Sequence, residues 1–418
     1  MLIELSCQNF KSIRERITFS MVASKDKSHQ KELYDHKKIN ILREAVLYGA
    51  NASGKTTLIE AVNYLKWLVV HSGRLQEGDE FPRPYHKLSK DEPTSFDVQF
   101  VVEGIRYAYG FSITDEQVRE EYLYHYPSGR QAKIFERKSE QFFFGTDYKK
   151  ELKEISTKSK KNKLFINTAE AWSNLPEIIN PFSFFKNNLM IHLIRPDNWF
   201  EYSARQINKD MQMKRLLIEF FQKIDIPVID IKVKIEEDAP LPEKFSGLMN
   251  QLKLLSDGIN STMIEVKFIY KDFELNYDEE SLGTQKLFKL LCPFIDVLVN
   301  GKVLFYDELE NSLHPVIVQE LVKVFKEWED DTKAQLIFTT HDTSLLNLDL
   351  FRRDQIWFAE RNPDSCSTEY YSLIELKNVR KDENIRKGFV TGRYSSVPLN
   401  GKSLVELLSD EEIADEKD

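Results

Sequence analysis

The feature that most constrains this chain is a short apolar segment that runs into a glycine-rich loop and then into a helix-forming segment. Residues 45–57 have the sequence Ala-Val-Leu-Tyr-Gly-Ala-Asn-Ala-Ser-Gly-Lys-Thr-Thr. In the pattern G-x-x-x-x-G-K-T, the glycines allow a tight turn whose backbone N–H groups point at an anion. The dipole of the following helix adds to that field. The sequence therefore predicts a phosphate-binding loop between a buried strand and a helix.

The residues of this loop have distinct predicted roles. Lys55 is expected to reach the β- and γ-phosphates of a nucleotide, and Thr56 is expected to offer its hydroxyl to Mg²⁺. The predicted nucleotide-binding residues of the loop are Gly49, Asn51, Ala52, Ser53, Gly54, Lys55, Thr56 and Thr57. A chance glycine-rich turn is the alternative, and it is disfavoured because the strand and the helix that the motif requires both flank the loop.

A second apolar segment ends in two acidic residues. Residues 303–308 are Val-Leu-Phe-Tyr-Asp-Glu, which is typical of a buried central strand whose carboxyl end reaches a site. Asp307 is expected to hold Mg²⁺ opposite Thr56, and Glu308 to orient and deprotonate the attacking water. Taken alone, this segment is also compatible with an exposed acidic strand end.

Two further segments carry candidate site residues. His341 follows the apolar residues 335–340, and its position one βα unit after the acidic pair favours a hydrogen bond to the γ-phosphate over a structural role. Residues 280–286, Glu-Ser-Leu-Gly-Thr-Gln-Lys, precede an apolar helix. A hydroxyl and a glycine at a helix N-terminus predict a second anion site at Ser281 and Gly283. Two anion sites in one chain indicate a composite site across a dimer.

Hydrophobic periodicity predicts an α/β fold, in which a phosphate-loop domain with a central mixed or parallel sheet carries an antiparallel β subdomain and a helical insertion. Residues 2–8 and 16–22 are expected to pair as strands, residues 96–146 to form antiparallel strands, and the alternation after residue 263 to form a parallel sheet. The predicted divisions are 1–150, an N-terminal lobe with the phosphate loop; 151–262, the helical insertion; 263–400, a C-terminal lobe; and 401–418, an acidic tail.

Composition narrows the classes of function. The 418 residues carry a net charge of −9, which argues against DNA as a constitutive partner, and the basic residues 158–163 are better explained as a solvated loop. No run of 18 apolar residues predicts a membrane span, and no secretory signal is expected, so a cytoplasmic location is predicted. Three distant cysteines, Cys7, Cys292 and Cys366, lack metal-ligand spacing and are expected to be buried free thiols.

The order of the motifs resembles that of ABC-type ATPases of the SMC and RecF kind. In that resemblance, Walker A is Gly49–Thr56, the signature region is Ser281–Lys286, Walker B is Val303–Glu308, the D-loop lies near Ser312–His314, and the switch histidine is His341. The segment Asn9-Phe10-Lys11-Ser12 is similar to the N-terminal motif of those proteins, which implies that Lys11 and Ser12 lie near the nucleotide. The resemblance implies ATP and Mg²⁺ as ligands and a dimer that closes on ATP.

More narrowly, the chain resembles the RloA-type ATPases of abortive-infection systems and the related ATPase of the PARIS anti-phage system. The residues that carry this resemblance are Tyr48–Lys55, Ser281–Gln285, Asp307 and Glu308, Leu313–Pro315, Gly392–Tyr394 and Pro398. The resemblance implies a separate effector protein, often a Toprim-like nuclease, and a phage protein as trigger.

The chain departs from the ABC pattern in its signature segment. The usual signature is Leu-Ser-Gly-Gly-Gln, and alignment on Gly283 places Leu282 where the phosphate-binding serine is expected, so Ser281 or Thr284 would have to replace it. Gln99 and Gln131 are both candidates for the Q-loop glutamine. Two other functions therefore stay open, namely a RecF-like ATP-dependent DNA-repair clamp and a scaffold that holds ATP as a structural ligand.

Overall fold

The computed structural model describes residues 1–193, 199–237, 262–328, 333–377, 379 and 383–394. The predicted acidic tail 401–418, Pro398 and residues 238–261 of the predicted helical insertion lie outside these described residues. The contacts divide the chain into two compact units. Unit 1 is Met1–Leu193, Gly301–Leu309 and the described residues from Val322 onward; unit 2 is formed by the described residues of Ile194–Asn300 together with Glu310–Leu321.

The strands of the described residues are β1 (Leu2–Gln8), β2 (Ile17–Ser20), β3 (Tyr34–His36), β4 (Ile39–Ile41), β5 (Glu44–Tyr48), β6 (Thr94–Val102), β7 (Ile105–Ile113), β8 (Val118–Tyr126), β9 (Ala132–Lys138), β10 (Gln141–Phe144), β11 (Leu189–His192), β12 (Asp230–Glu236), β13 (Met263–Ile269), β14 (Glu274–Asn276), β15 (Val303–Tyr306), β16 (Gln335–Thr339), β17 (Ile356–Arg361) and β18 (Thr368–Ser372). The helices are α1 (Lys55–His71), α2 (Lys149–Ser156), α3 (Phe165–Trp172), α4 (Pro176–Ser183), α5 (Trp199–Lys209), α6 (Met211–Lys223), α7 (Leu282–Asn300), α8 (Pro315–Glu327) and α9 (Ile385–Val390).

The central sheet of unit 1 confirms the α/β prediction. Its strand order is β11-β15-β16-β5-β17-β18, and every neighbouring pair is parallel except β17 with β18. All residues of β5, β15 and β16 are buried, which explains why these strands are continuous apolar runs in the sequence. Because parallel strands end at the same edge of a sheet, the loops after β5, β15 and β16 lie side by side.

A second sheet in unit 1 is antiparallel throughout. Its order is β10-β9-β8-β7-β6-β1-β2, so the strands predicted between residues 96 and 146 are confirmed. The predicted pairing of residues 2–8 with 16–22 is also confirmed, and β1 joins this pair to β6. Buried aromatic residues such as Tyr107, Tyr109 and Phe111 form one face of the sheet, as their alternate spacing predicts.

Unit 2 combines helices α5, α6 and α7 with an antiparallel sheet of order β12-β13-β14. The sequence predicts residues 263–268 as a strand of the parallel sheet, and this is wrong in its pairing, since β13 pairs with β12 and β14 instead. Phe288 on α7 packs within 5.6 Å of Phe268 on β13, between ring centroids, and forms part of the unit's core. Residues 151–262, predicted as helical, contain β11 and β12 in addition to helices.

The three cysteines differ in their burial. Cys7 and Cys292 are buried as expected, whereas Cys366 is exposed in the turn between β17 and β18, so the prediction of a buried thiol is wrong there. Among the residues that the structure describes, no helix is both long enough and apolar enough to cross a membrane.

Candidate nucleotide-binding site

The glycine-rich loop follows β5 and ends where α1 begins at Lys55. A Cβ atom on Gly49 would lie 2.4 Å from Ser53 Oγ and 2.5 Å from the carbonyl oxygen of Ala359. Gly54 has a φ of +108°, and a Cβ atom there would lie 2.4 Å from Thr368 Oγ1. Both positions therefore require glycine, one for close packing and the other also for its backbone conformation. The spacing of glycines in the sequence predicts this loop correctly.

Lys55 is buried, and its ammonium group folds back over the loop. Its Nζ donates to the carbonyl oxygens of Gly49 and Ala50, each at 2.9 Å. Because the lysine is the first residue of α1, its charge adds to the positive end of the helix dipole. The loop thus presents a fixed cation together with the backbone N–H groups of a helix N-terminus, which is the arrangement that binds phosphate groups.

Asp307 follows β15 and is almost completely buried, with 1% of its surface exposed. Its Oδ1 accepts hydrogen bonds from Thr339 Oγ1 at 2.7 Å and from Thr56 Oγ1 at 3.3 Å. Its Oδ2 is buried and has no hydrogen-bond partner among the described residues. A buried carboxylate oxygen without a partner, next to a threonine hydroxyl, fits a hard divalent cation such as Mg²⁺, which prefers oxygen ligands. The residues predicted to hold the metal are therefore adjacent.

Thr339, the last residue of β16, holds both acidic residues in place, and the sequence analysis did not identify it. While its hydroxyl donates to Asp307, the same oxygen accepts from the backbone N–H of Glu308 at 2.8 Å. Glu308 has a φ of +51°, a left-handed conformation that costs on the order of 1 kcal/mol for a residue with a side chain. The contacts of Thr339 stabilise that conformation. The feature of the sequence that could have identified Thr339 is a hydroxyl-bearing residue at the end of a buried strand.

Glu308 and His341 lie together at the carboxyl edge of the central sheet. His341 Nε2 is 3.8 Å from Glu308 Oε1, and both side chains are about one-third exposed, at 39% and 32%. The strands that precede these two residues, β15 and β16, are neighbours, which explains how residues 33 positions apart come into contact. The pair is accessible to a ligand, as a general base and a hydrogen-bond donor must be.

A cavity of about 510 Å³ lies over the loop. Its described lining residues are Ser12, Asn51, Ala52, Gly54, Lys55, Thr56, Thr57, Glu308, His341 and Arg361. The structure thus brings together nine of the residues predicted from the sequence and adds Arg361. The predicted residues Gly49, Ser53 and Asp307 do not line the cavity. Ser53 and Asp307 are buried, and each is the sequence neighbour of a lining residue, Gly54 or Glu308.

Lys11 and Ser12 have different surroundings, although the resemblance places both near a nucleotide. Ser12 lines the cavity and its Oγ lies 3.2 Å from Thr57 Oγ1. Lys11 is not among the lining residues, and its Nζ forms an ion pair with Glu60 Oε1 on α1 at 2.6 Å. In the structure, Ser12 therefore lies at the cavity, whereas the ammonium group of Lys11 pairs with a neighbouring carboxylate.

The segment that carries Ser12 is anchored by Asn9, which is fully buried and has a φ of +54°. Its Nδ2 donates to the carbonyl oxygens of Ser89 at 2.8 Å and of Glu92 at 2.7 Å, and its Oδ1 accepts from the N–H of His86 at 2.8 Å. Asparagine tolerates the left-handed conformation better than most residues. These bonds fix the backbone three residues before Ser12.

Strand β18 holds the phosphate-binding loop from the other side, and the sequence analysis missed its contribution. Thr368 Oγ1 lies 3.0 Å from the carbonyl oxygen of Ser53 and 2.8 Å from Ser12 Oγ. Tyr370 donates its hydroxyl to the carbonyl oxygen of Gly54 at 2.7 Å. The two side chains therefore hold consecutive carbonyl groups of the loop. Only tertiary structure brings them there, because more than 300 residues separate them from the loop.

The signature segment lies in unit 2, at the start of α7. Ser281 Oγ accepts from the N–H of Thr284 at 3.1 Å and lies 2.9 Å from Thr284 Oγ1. The two hydroxyls that might replace the signature serine are thus bonded to each other, and Leu282 is 74% exposed. A Cβ atom on Gly283 would meet no atom closer than 3.5 Å. A composite site made by Ser281 and Gly283 across a dimer stays a prediction.

Neither candidate for the Q-loop glutamine lines the cavity. Gln99 lies on β6, where its Oε1 accepts a hydrogen bond from the guanidinium group of Arg106. Gln131 accepts from the hydroxyl of Tyr126 at 3.0 Å in the turn between β8 and β9. Both glutamines have local structural partners, so the structure assigns neither of them to the site.

Comparisons with solved structures give SMC head domains. An SMC head bound to the C-winged helix domain of ScpA is 14% identical with a TM-score of 0.44, and the match covers 89% of this chain and 97% of that one. The SMC head domain from Thermotoga maritima is 13% identical with a TM-score of 0.39, covering 89% and 98%. An SMC head with an extended coiled coil bound to the C-terminal domain of ScpA, from Pyrococcus furiosus, is 11% identical with a TM-score of 0.39, covering 89% and 96%.

A comparison with curated proteins gives no significant match. A family comparison does match, over residues 45–347, to the family described as "AAA domain, putative AbiEii toxin, Type IV TA system". The matched residues include the phosphate-binding loop, the signature segment, the acidic pair and His341, and they make up most of the chain. The chain therefore belongs to this AAA-domain family.

Proposed function

We propose that the protein binds ATP and hydrolyses it in a Mg²⁺-dependent reaction. The observation that carries the proposal is the buried carboxylate of Asp307, one oxygen of which lies 3.3 Å from the Thr56 hydroxyl while the other has no partner among the described residues. A folded chain keeps an unpartnered buried charge only at a cost, and a bound cation removes that cost. The adjacent phosphate-binding loop then makes a nucleoside triphosphate the natural substrate.

The residues around the cavity divide the work of hydrolysis. Lys55 and the N–H groups of the loop bind the phosphates, and Thr56 and Asp307 hold Mg²⁺, which supplies charge neutralisation on the phosphate oxygens. Glu308 orients a water molecule and accepts its proton. His341, whose Nε2 is 3.8 Å from Glu308 Oε1, donates a hydrogen bond to the γ-phosphate, which is the group transferred to water.

The direct test is nucleotide binding and phosphate release by the purified protein and its Lys55→Ala variant. Wild-type protein is expected to bind a fluorescent ATP analogue and to release phosphate in the presence of Mg²⁺. Lys55→Ala should lose binding, because it removes the cation that the loop holds. Lys27→Ala, a change of an exposed lysine outside the cavity lining, is the matched control. Normal phosphate release by Lys55→Ala would contradict the proposal.

We further propose that ATP closes a dimer of the protein and that this cycle controls a separate effector in an anti-phage system in the cytoplasm. The support is the resemblance in sequence motifs to RloA-type and PARIS ATPases, together with a family description that names a toxin. The effector expected is a Toprim-like nuclease, and the trigger a phage protein. Affinity purification with the neighbouring genes intact is the test, and recovery of no protein partner in any nucleotide state would contradict it.

A scaffold that holds ATP without hydrolysing it is the second candidate, and one observation favours it. At the signature segment, Leu282 is exposed where a phosphate-binding serine is expected, and Ser281 is bonded to Thr284. Tight ATP binding without detectable phosphate release would support this function over hydrolysis.

The RecF-like DNA clamp has less support. In the basic segment 158–163, Lys160 pairs with Glu77, and Lys163 donates to the carbonyl oxygen of Gly73 at 2.7 Å. These lysines therefore have partners within the fold, and the net charge is −9. A salt-dependent affinity for duplex DNA that ATP increases would favour the clamp.

A further inference from the structure

Arg361 lines the cavity over the phosphate-binding loop but has no role in the proposed reaction. It is the last residue of β17, and its side chain is exposed at the carboxyl edge of the central sheet. The family match ends at residue 347, so this arginine lies beyond it. What it can bind follows from its position in the sheet, its charge and the composition of the cavity.

The strand order fixes the side of the loop on which Arg361 lies. β5 leads into the loop and has β16 as one neighbour and β17 as the other. Glu308 and His341 follow β15 and β16, on the first side, whereas Arg361 ends β17, on the second. A nucleotide whose terminal phosphate is beside Glu308 therefore extends its other end toward the side of Arg361.

The guanidinium group of Arg361 is available to a ligand. Within the part of the chain that the structure describes, no carboxylate lies within 4.0 Å of it, whereas Arg352 and Arg353 nearby each form an ion pair. An exposed arginine without a carboxylate partner contributes little to folding. Its location in the cavity is thus better explained by binding than by structure.

Among the residues that the structure describes, the cavity lining offers no large aromatic ring to bind a nucleobase. The described lining residues include no Phe, Tyr or Trp, and the one imidazole, His341, lies on the side of Glu308. A guanidinium group is planar and stacks on aromatic faces, which an ammonium group does not do with the same geometry. Arg361 is therefore the lining residue on its side of the loop whose shape matches the flat face of a base.

We propose that Arg361 binds the nucleobase of the bound nucleotide by stacking its guanidinium plane on the ring. This inference rests on the proposed nucleotide-binding function and adds a residue that contacts the end of the nucleotide away from the reacting phosphate. It assigns the phosphates to the loop and the base to β17. The two parts of the ligand then depend on different residues, which a comparison of ligands with and without a base can separate.

The test compares the binding of ATP and ADP with that of inorganic tripolyphosphate, which carries phosphates but no base. In Arg361→Ala and Arg361→Lys, the Kd values for ATP and ADP are expected to rise about five- to tenfold, since the planar stacking of a guanidinium group on the base is lost in both variants. The Kd for tripolyphosphate, measured by competition, should not change. Arg130→Ala, a change of an exposed arginine in the turn between β8 and β9, is the control and should match wild type for all three ligands.

Three results would overturn the inference. They are an unchanged Kd for ATP in Arg361→Ala, an equal loss of tripolyphosphate binding, and full recovery of ATP binding by Arg361→Lys, which would assign the effect to charge alone. Failure of the wild-type protein to bind either ATP or tripolyphosphate would instead overturn the proposed function. Because the cavity side chain is exposed, these substitutions are not expected to affect folding.

Discussion

The two sides of the phosphate-binding loop use polar groups in opposite ways. On the side of β15 and β16, Asp307 keeps a buried carboxylate oxygen without a partner among the described residues, and Glu308 has a left-handed backbone. On the side of β18, the hydroxyls of Ser12, Thr368 and Tyr370 are all hydrogen-bonded within the protein. The first side therefore retains polar capacity for a ligand, and the second uses its capacity to hold the loop.

This difference between the two sides of the loop predicts that substitutions on each side impair the protein in a different way. Loss of a group on the acidic side should impair chemistry or metal binding while the loop keeps its shape, because the carboxylate of Asp307 bonds to the side-chain hydroxyls of Thr56 and Thr339. Loss of a hydroxyl on the β18 side should weaken the binding of every nucleotide by a modest factor, because each hydrogen bond contributes about 0.5–1.5 kcal/mol.

The largest effect is expected for Glu308→Gln. The substitution keeps the shape of the side chain but removes the proton acceptor, so kcat for ATP hydrolysis should fall about 10²- to 10⁴-fold. The Kd for ATP should stay within about twofold, since the general base is not required for binding. Steady-state phosphate release and equilibrium binding measure the two quantities.

Glu369→Gln provides the control for that substitution. Glu369 is exposed on β18, so the same chemical change there should alter neither kcat nor Kd. If Glu308→Gln retained kcat within a factor of ten of wild type, Glu308 would not be the general base, and the assignment of chemistry to this side of the loop would be wrong.

The acidic side was predictable from sequence because its residues belong to local motifs. The glycines of the loop, Lys55 and the acidic pair each follow an apolar strand within a few residues, and the shared edge of a parallel sheet then brings the strand ends together. The exception on this side is Thr339, whose role depends on the register of β16 against β15. A register of that kind is not visible in a single sequence.

The β18 side was not predictable, with the exception of Ser12. Thr368 and Tyr370 lie in a strand that the sequence analysis did not assign, and they contact the loop over a separation of more than 300 residues. Their residue types are common in strands and carry no motif. Lys11 differs from Ser12, because the fold pairs its ammonium group with Glu60, and its predicted position near the nucleotide stays a prediction.

A smaller effect is expected for Asp307→Asn, which tests whether the unpartnered oxygen serves a metal. Wild-type protein should bind ATP more tightly in Mg²⁺ than in EDTA, and the substitution should weaken the Mg²⁺-dependent part about 10- to 100-fold, the range typical of disturbed metal sites. Binding in EDTA should be almost unchanged. Isothermal titration with and without Mg²⁺ gives both values.

Asp364→Asn, at an exposed position in the turn between β17 and β18, is the control for Asp307→Asn and should keep the full Mg²⁺ effect. Equal Mg²⁺ dependence in Asp307→Asn and in wild type would show that the buried carboxylate does not hold the cation. The contrast between the two sides of the loop would then lose its strongest observation.

The smallest effects are expected for Thr368→Val and Tyr370→Phe. Each substitution removes a hydroxyl that holds a loop carbonyl, at Ser53 or at Gly54, and a loss of about 0.5–1.5 kcal/mol corresponds to a two- to twelvefold weaker affinity. ATP and ADP should lose the same factor, because the loop contacts phosphates that both nucleotides carry. An effect on ATP alone would indicate that these residues take part in the chemical step. The difference between the two sides of the loop would then not hold.

Tyr371→Phe separates this effect from a general weakening of the β17–β18 hairpin. Tyr371 is the neighbour of Tyr370, and its hydroxyl donates within the hairpin region, 2.8 Å from the carbonyl oxygen of Tyr394 and 3.1 Å from Glu360 Oε2, away from the loop. Its loss should lower the free energy of unfolding by a similar amount but leave the Kd for ATP unchanged. If Tyr371→Phe weakened nucleotide binding as much as Tyr370→Phe, the hairpin would act through its overall stability. The specific bond to Gly54 would then carry no part of the binding energy.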